Sequence, residues 1–459
     1  MRKVRPLDGC ILAFVFLYSM FPSYLGMRVA GVLFNLPRAL TILMISLIII
    51  EIAANRQSTV RLSQVCRQSS GSILLVVGYL GFRFASAFVS DDPSISFNAA
   101  FSEILFSLVF LYIGIYAVRT LDEMERLIVV LVTAAGFICM IGALEAAMGT
   151  NLVASAFPMM EVTSDDYLKM ALLDKMRGTY RVQSTFFHPL AFASYIVLLM
   201  PLAIYCSQRA RTIRSKFFFL AVVGLMSLDA FNTGSRAVLL VMAIIVLVHW
   251  TGFSINLIRS RPYVKRSIGL TSLCILVGGV LSIAPVAQHL IKGENQEEQS
   301  SSSGRLVQLE KGREAILDSP VFGVGPRMSG KYVGISDTFG ATVDNWYLTL
   351  AVESGLGALF CFLGILSAIV LMGKRLRRTH RRSERMKRLT RAIELGVVLF
   401  GLFLTILSLH DETFPYLFLI MGGLMSMRDL SVRSMERGRR LNDQLRISVL
   451  HEHTSSPML

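Results

Sequence analysis

The sequence predicts an all-α polytopic membrane protein of about twelve transmembrane helices, with a long outer loop that contains short helices. Three observations predict it. Hydrophobic residues make up 53% of the 459-residue chain, and its mean hydropathy is +0.58. Charged residues make up only 17%, too few to cover the surface of a soluble domain of this size. The net charge of +15 is carried in short basic runs between apolar segments. That placement is the pattern of membrane topology and argues against a nucleic-acid partner.

A bilayer core about 30 Å thick needs roughly 20 apolar residues per helix. Twelve segments qualify: 9–27, 36–54, 71–90, 101–118, 126–148, 186–206, 217–231, 235–252, 267–286, 345–372, 392–409 and 413–427. The amino terminus, MRKVRPLDG before an apolar run, has the layout of a signal peptide. No small-residue cleavage site follows, so it reads as an uncleaved first span. Lys and Arg mark the inner loops: 55–70, 207–216, 253–266, and above all 373–391, GKRLRRTHRRSERMKRLTR. Both termini then fall on the cytoplasmic side of the membrane. Arg28 and Arg38, at the first short outer loop, run against this count.

The expected organisation is nine membrane helices over 1–286, with an outer loop at 149–185. A large periplasmic loop at 287–344, three further helices over 345–427 and a cytoplasmic tail at 428–459 complete it. Five of the six cysteines fall in or at the ends of spans, Cys66 falls in an inner loop, and no metal-binding Cys/His spacing occurs. No cofactor is expected.

The informative residues are the arginines that break the positive-inside pattern: Arg177, Arg181, Arg236, Arg305, Arg313 and Arg327. Arg236 lies in FNTGSRAVLLV at a span entry, and Arg181 precedes the sixth span in GTYRVQSTFFHPLAFASY. Arg305 opens SSGRLVQLEKGREAILDSP, a surface-helix pattern in which Arg313 follows about two turns later. PVFGVGP then supplies Gly and Pro for a turn back to the membrane. Guanidinium groups from three segments can converge on one anion, because they bind phosphate bidentately and keep their charge. The plainer alternative is that each snorkels to headgroups or pairs with a nearby acid.

These pieces, between about Gly178 and Gly357, resemble the O-antigen ligase and Wzy-type polysaccharide polymerase superfamily. YRVQSTFFHPLAFASYIVLLMPL is similar to its Arg, Phe-x-His-Pro and span motif; TGSRAVLLV to its Ser-Arg span entry. GRLVQLEKGREAILDSPVFGVGP resembles its outer loop, with Pro-x-x-Gly-x-Gly at the end. DNWYLTLAVESGLGAL resembles its re-entry helix with Glu-x-Gly. The resemblance implies a GT-C-like integral-membrane glycosyltransferase that is metal-independent and inverting. Its donor would be a glycan on undecaprenyl pyrophosphate. By match, Arg181, Arg236 and Arg305 would grip the pyrophosphate. Ligases of the superfamily typically carry His-Asn at re-entry, whereas this chain has Asp344 followed by Asn345. A carboxylate can accept a proton from an attacking sugar hydroxyl, so Asp344 is the expected base.

The change from His to Asp leans the reading towards a polymerase of exopolysaccharide, capsule or O-antigen repeat units. The alternative in the same superfamily is a ligase acting on lipid A-core. A twelve-span secondary transporter or flippase is the alternative from another class, and it would show internal repeats and polar mid-membrane helices. The partners implied are lipid-linked oligosaccharide donor and acceptor, membrane lipid, a chain-length regulator and a flippase.

Glu353 is not expected to pair with Asp344. Nine residues along a helix place it on the opposite face and roughly 13 Å deeper. His188 and His410 are further candidates, as a helix cap or acceptor contact and as an alternative base respectively. Trp346 and Tyr347 read as an interfacial aromatic belt, and Glu103 and Glu145 as span-end acids meeting water.

Overall fold

The computed structural model describes residues 6–22, 24–29, 32–156, 161–162, 180–260, 296–334, 343–407 and 412–432. The expected ninth span at 267–286, His410 and Arg177 lie outside them. The chain is a helical bundle. Its first helices are α1 (Pro6–Met20), α2 (Leu36–Ala54), α3 (Arg56–Gln68), α4 (Ser70–Ser86), α5 (Pro93–Ala117), α6 (Leu121–Met148) and the short α7 (Leu152–Ala156). There follow α8 (Pro189–Arg209), α9 (Ile213–Asn232), α10 (Arg236–Ser260), α11 (Gln296–Asp318) and the short α12 (Ser329–Val333). The last are α13 (Trp346–Thr379), α14 (Glu384–Phe403) and α15 (414–432). Among the described residues, six helices are long and apolar enough to cross a membrane: α2, α4 with the turn that follows it, α5, α6, α8 and α13.

The helix starts follow from local chemistry. Asn35, Asp92, Thr120, Thr212, Asn345 and Ser383 each turn a side-chain oxygen onto a backbone N–H of the first turn behind them. Pro93 and Pro189 occupy first positions, where no N–H is needed.

Two features differ from the sequence expectation. The basic segment 55–70 is not a plain loop: Asn55 caps α3, which keeps Ser58 and Val65 buried and its polar residues largely outward. An amphipathic helix of this kind suits the plane of a membrane surface. The all-α expectation also misses a small antiparallel sheet. β1 (Leu25–Val29) pairs with β2 (Val32–Phe34) on one side and β3 (Glu161–Val162) on the other. The register sets Met27 against Phe34 and Leu25 against Val162. The backbone groups of the connection between α1 and α2 pair across these strands.

The core is centred on α8, which is buried along nearly its whole length and packs against α6, α9 and α14. α13 packs against α4 and α14. α13 is not one straight helix. At Gly355 the backbone turns to φ 76°, ψ 174°, a region that only glycine adopts without strain. The break frees carbonyls of the preceding turn, and the segment after α11 fills them. Val324 N–H donates to Val352 O and Gly325 N–H to Glu353 O, each at 2.9 Å, while Leu356 N–H donates to Pro320 O at 2.9 Å. A Cβ on Gly355 would overlap the Val321 carbonyl, and one on Gly323 would overlap the Val352 carbonyl. PVFGVG and VESG are thus two halves of one backbone joint.

A buried charge network supports the joint from below. Glu353, 3% exposed, accepts from Arg83 Nη1 at 2.7 Å and from Ser329 Oγ at 2.7 Å. Arg83 also meets Glu103 at 2.8 Å and lies 5.6 Å from the Trp346 ring centroid. Tyr79 donates to Glu103. Glu103 is therefore more than a span-end acid in water: it is mostly buried and committed to Arg83. Nor is Trp346 part of an interfacial belt: it is buried edge-on against Phe362 and Phe414. Tyr347 is likewise committed, donating to Gly401 O at 2.6 Å. An isolated charge at this depth would cost several kcal/mol, so each member holds the others in place.

Gly355→Ala is expected to break this joint. Strain at such a backbone position costs about 1–3 kcal/mol before the clash is counted. Hydrogen exchange of 320–333 should rise sharply while α8 stays protected. Unchanged protection of 320–333 would mean that the joint does not hold that segment.

Candidate functional site

The sequence-predicted site residues gather at one end of the bundle. α6 and α9 pack against each other and against α8, and the Glu145 end of α6, the Asn232 end of α9 and the Trp346 end of α13 lie at the end of the bundle where α8 starts. Three contacts establish this: Val182 N–H donates to Asn232 O at 3.1 Å, Phe187 N–H to Glu412 Oε2 at 3.3 Å, and Trp346 N–H to Leu404 O at 3.0 Å.

Arg181 and Arg236 belong to one group. Arg181 Nε donates to Thr233 O at 2.7 Å, in the turn that leads into Arg236. A Cβ at Gly234, where φ is 64°, would stand 3.1 Å from Arg181 Nε, so glycine both makes the turn and leaves room for the guanidinium. Arg236 occupies the first turn of α10, a place where the helix dipole disfavours a cation. Helix stability therefore does not account for it. An anion would be met there by the helix N-terminus and by Arg236, with Arg181 beside the same turn.

The loop carrying Arg181 is anchored by Glu145. This carboxylate is fully buried, not a span-end acid in water. It accepts from Ser184 N–H at 2.8 Å, Gln183 N–H at 3.0 Å and the Tyr180 hydroxyl. Ser184 takes a positive φ of 53°, which aims its amide at the carboxylate. Sequence reasoning missed this role, although an acid at the end of an apolar helix is a signal for such a partner.

The second group is Arg305 with Asp344. Arg305 Nε lies 3.7 Å from Asp344 Oδ2, and both side chains are partly exposed. Asp344 N–H donates to Gln308 Oε1 at 3.2 Å, which ties the re-entry point to the middle of α11. Arg313 lies on the same helix and lines a groove of about 230 Å³ with Leu309, Ile316, Leu317 and Leu348. Asp344 and Glu353 do not pair; Glu353 faces Arg83.

Two further candidates have structural work here. His188 Nδ1 accepts from Leu190 N–H at 2.9 Å and caps α8. Asn345 Oδ1 accepts from Tyr347 N–H at 3.0 Å and Leu348 N–H at 3.2 Å, capping α13. The cap fixes the start of the helix and with it the place of Asp344 just ahead. Beside the joint, Lys331 and Tyr332 donate to Asp91. The bond from Lys331, then that from Tyr332, hold the Asp91 carboxyl below the usual range. This tie is full above about pH 4 and is lost as the pH falls through the lowered value.

A span-entry turn bearing Arg236, an arginine-bearing helix and a broken re-entry helix lie together in residues 232–357. Residues 221–363 match the family model described as O-Antigen ligase. The match covers the second and third of the arginines, Asp344 and both halves of the Gly355 joint, and it begins after Arg181. It agrees with the superfamily resemblance read from the motifs and supports an O-antigen ligase- or polymerase-type membrane enzyme. No curated protein matches the chain.

Glu145→Ala strips two buried amides of their acceptor, at about 1–3 kcal/mol each. The amides of Gln183 and Ser184 should then exchange orders of magnitude faster, and Glu145→Gln, which keeps one acceptor oxygen, should fall between. Equal exchange in all three proteins would mean that Glu145 does not anchor this loop.

Proposed function

We propose that this protein is a membrane glycosyltransferase that polymerises repeat units carried on undecaprenyl pyrophosphate, acting on the periplasmic face of the inner membrane. The observation that carries the reading is the juxtaposition of Arg305 with Asp344 at the mouth of a broken re-entry helix. The arginine-bearing turn of Arg181 and Arg236 at the same end of the bundle supports it.

In this reading Arg181, Arg236 and the N-terminus of α10 hold the donor pyrophosphate. Asp344 accepts the proton of the acceptor sugar hydroxyl as its oxygen attacks the anomeric carbon. The bond from that carbon to the pyrophosphate oxygen breaks, and undecaprenyl pyrophosphate leaves. Fixed guanidinium groups stabilise the charge that grows on the leaving group. One base and one displacement give inversion, and the positive charge that clamps the phosphates comes from arginine rather than from a metal. Arg305 lies 3.7 Å from Asp344 in the absence of donor, and the donor phosphate then draws the guanidinium away from the carboxylate.

The ligase alternative is favoured by the description of the matching family model. The two readings differ in the acceptor: the next lipid-linked repeat unit for a polymerase, lipid A-core for a ligase.

The test complements a deletion strain with wild type, Asp344→Ala or Arg236→Ala at equal membrane levels, and sizes the lipid-linked and surface glycans. Loss of the base should cost roughly 10²–10⁴ in rate, and loss of one clamp donor about 10²–10³. Single lipid-linked repeat units should accumulate in both variants, with long polymer lost. Long lipid-linked chains that fail to reach lipid A-core would instead make it a ligase. Normal polymer in both variants would overturn the site.

Arg236→Lys separates a clamp from a simple charge. A lysine keeps the charge but loses the planar fork, so activity should fall well below wild type while remaining above Arg236→Ala. Full activity in the lysine variant would show that only the charge matters.

A further inference from the structure

The opposite end of the bundle holds a second site. α8 runs 21 residues, about 30 Å, from His188 at the glycan end to Arg209 at the other. There a cleft of about 290 Å³ opens between the end of α8, the α8–α9 turn and the start of α14. Tyr205, Arg209, Arg211, Arg385 and Arg388 line it.

Two of its arginines are already spent. Arg209 Nη2 and Arg385 Nη2 each lie 2.5 Å from Glu125 Oε2, and Arg385 also meets Asp122 at 2.5 Å. Tyr205 donates to Glu125 Oε1 at 2.5 Å. Glu125 is buried, so this cross-brace fixes the cleft walls while neutralising both guanidinium groups. Arg211 and Arg388 differ. Both are exposed, and among the described residues neither makes an ion pair; the remaining acid of the lining, Glu384, is held by Lys387 at 2.7 Å. Arg388 also lies in the field of Glu384, so a walled cleft with two guanidinium groups outside any ion pair fits one phosphate group.

The surroundings choose the source of that phosphate. Directly beyond Arg211, Ile213 is 69% exposed and Phe217 65% exposed. They are four residues apart and so share one face of α9. A polar cleft opening onto an apolar helix face matches a headgroup with acyl chains attached, and a free anion would use only the first half. We propose that this cleft binds the phosphate headgroup of an anionic phospholipid, with its acyl chains along Ile213 and Phe217.

The experiment uses the full chain purified in a neutral detergent. Thermal unfolding and native mass spectrometry are recorded with cardiolipin, with phosphatidylcholine, and with inorganic phosphate at matched phosphate concentration. Cardiolipin should raise the midpoint by a few degrees and remain bound in the gas phase, while the other two should do neither. Arg211→Ala with Arg388→Ala should abolish the shift. Arg381→Ala with Arg382→Ala, an exposed pair in the neighbouring turn, should leave it intact. The proposal is overturned if phosphate alone gives the same shift, if the Arg211/Arg388 variant responds like wild type, or if both double variants lose the response equally. The last result would show diffuse attraction to a basic face.

Discussion

The break in α13 at Gly355 is the constraint on which the arrangement of the site depends. A helix that continued unbroken would bond its own carbonyls and offer nothing to the segment after α11. Because it breaks, Val352 and Glu353 present their carbonyls to Val324 and Gly325, and the polar segment is fastened to the membrane helix by backbone bonds. That fastening sets where α11 ends, and α11 carries Arg305 and Gln308 to Asp344. The carboxylate proposed as base is therefore located by a joint eleven residues further along the chain, and not by its own local sequence alone.

The joint is held by charge buried where charge is expensive. Arg83 reaches across from α4 to Glu353, and Glu103 from α5 shares the same guanidinium. Removing one partner would leave the others unpaired in a low-dielectric interior, which is costlier than never having had the pair. The same economy appears at Glu145, where one carboxylate satisfies two loop amides and a hydroxyl. Glu145 acts through the loop backbone it holds, and Glu353 through the side chains of Arg83 and Ser329.

The two ends of the bundle use arginine in different ways. At the end where α8 starts, Arg236 stands in a first helical turn, where the dipole opposes it. At the basic end Arg209 and Arg385 close on Glu125 and build walls, leaving Arg211 and Arg388 over an opening. Net charge alone does not separate these cases. At the basic end, what separates Arg209 and Arg385 from Arg211 and Arg388 is the reach of the buried Glu125 carboxylate.

Most of the helical architecture was legible in the sequence, because apolar runs of about 20 residues and the capping residues that precede them are local signals. The arginines and Asp344 of the proposed site stand out in the sequence for the same reason: each breaks a pattern set by its neighbours. The amphipathic turn of α3 hid behind its basic composition, and the small sheet depends on strands more than a hundred residues apart. The roles of Arg83, Glu103 and Glu145 were not legible. A charge in an apolar run announces that a partner exists, but the partner lies on another helix and only packing selects it. Gly355 shows the division most plainly. Its sequence neighbourhood marks a glycine inside a helix, whereas the positive φ, the freed carbonyls and the docked loop arise from tertiary structure. A backbone break in an apolar span is stable only when another segment supplies the missing hydrogen bonds.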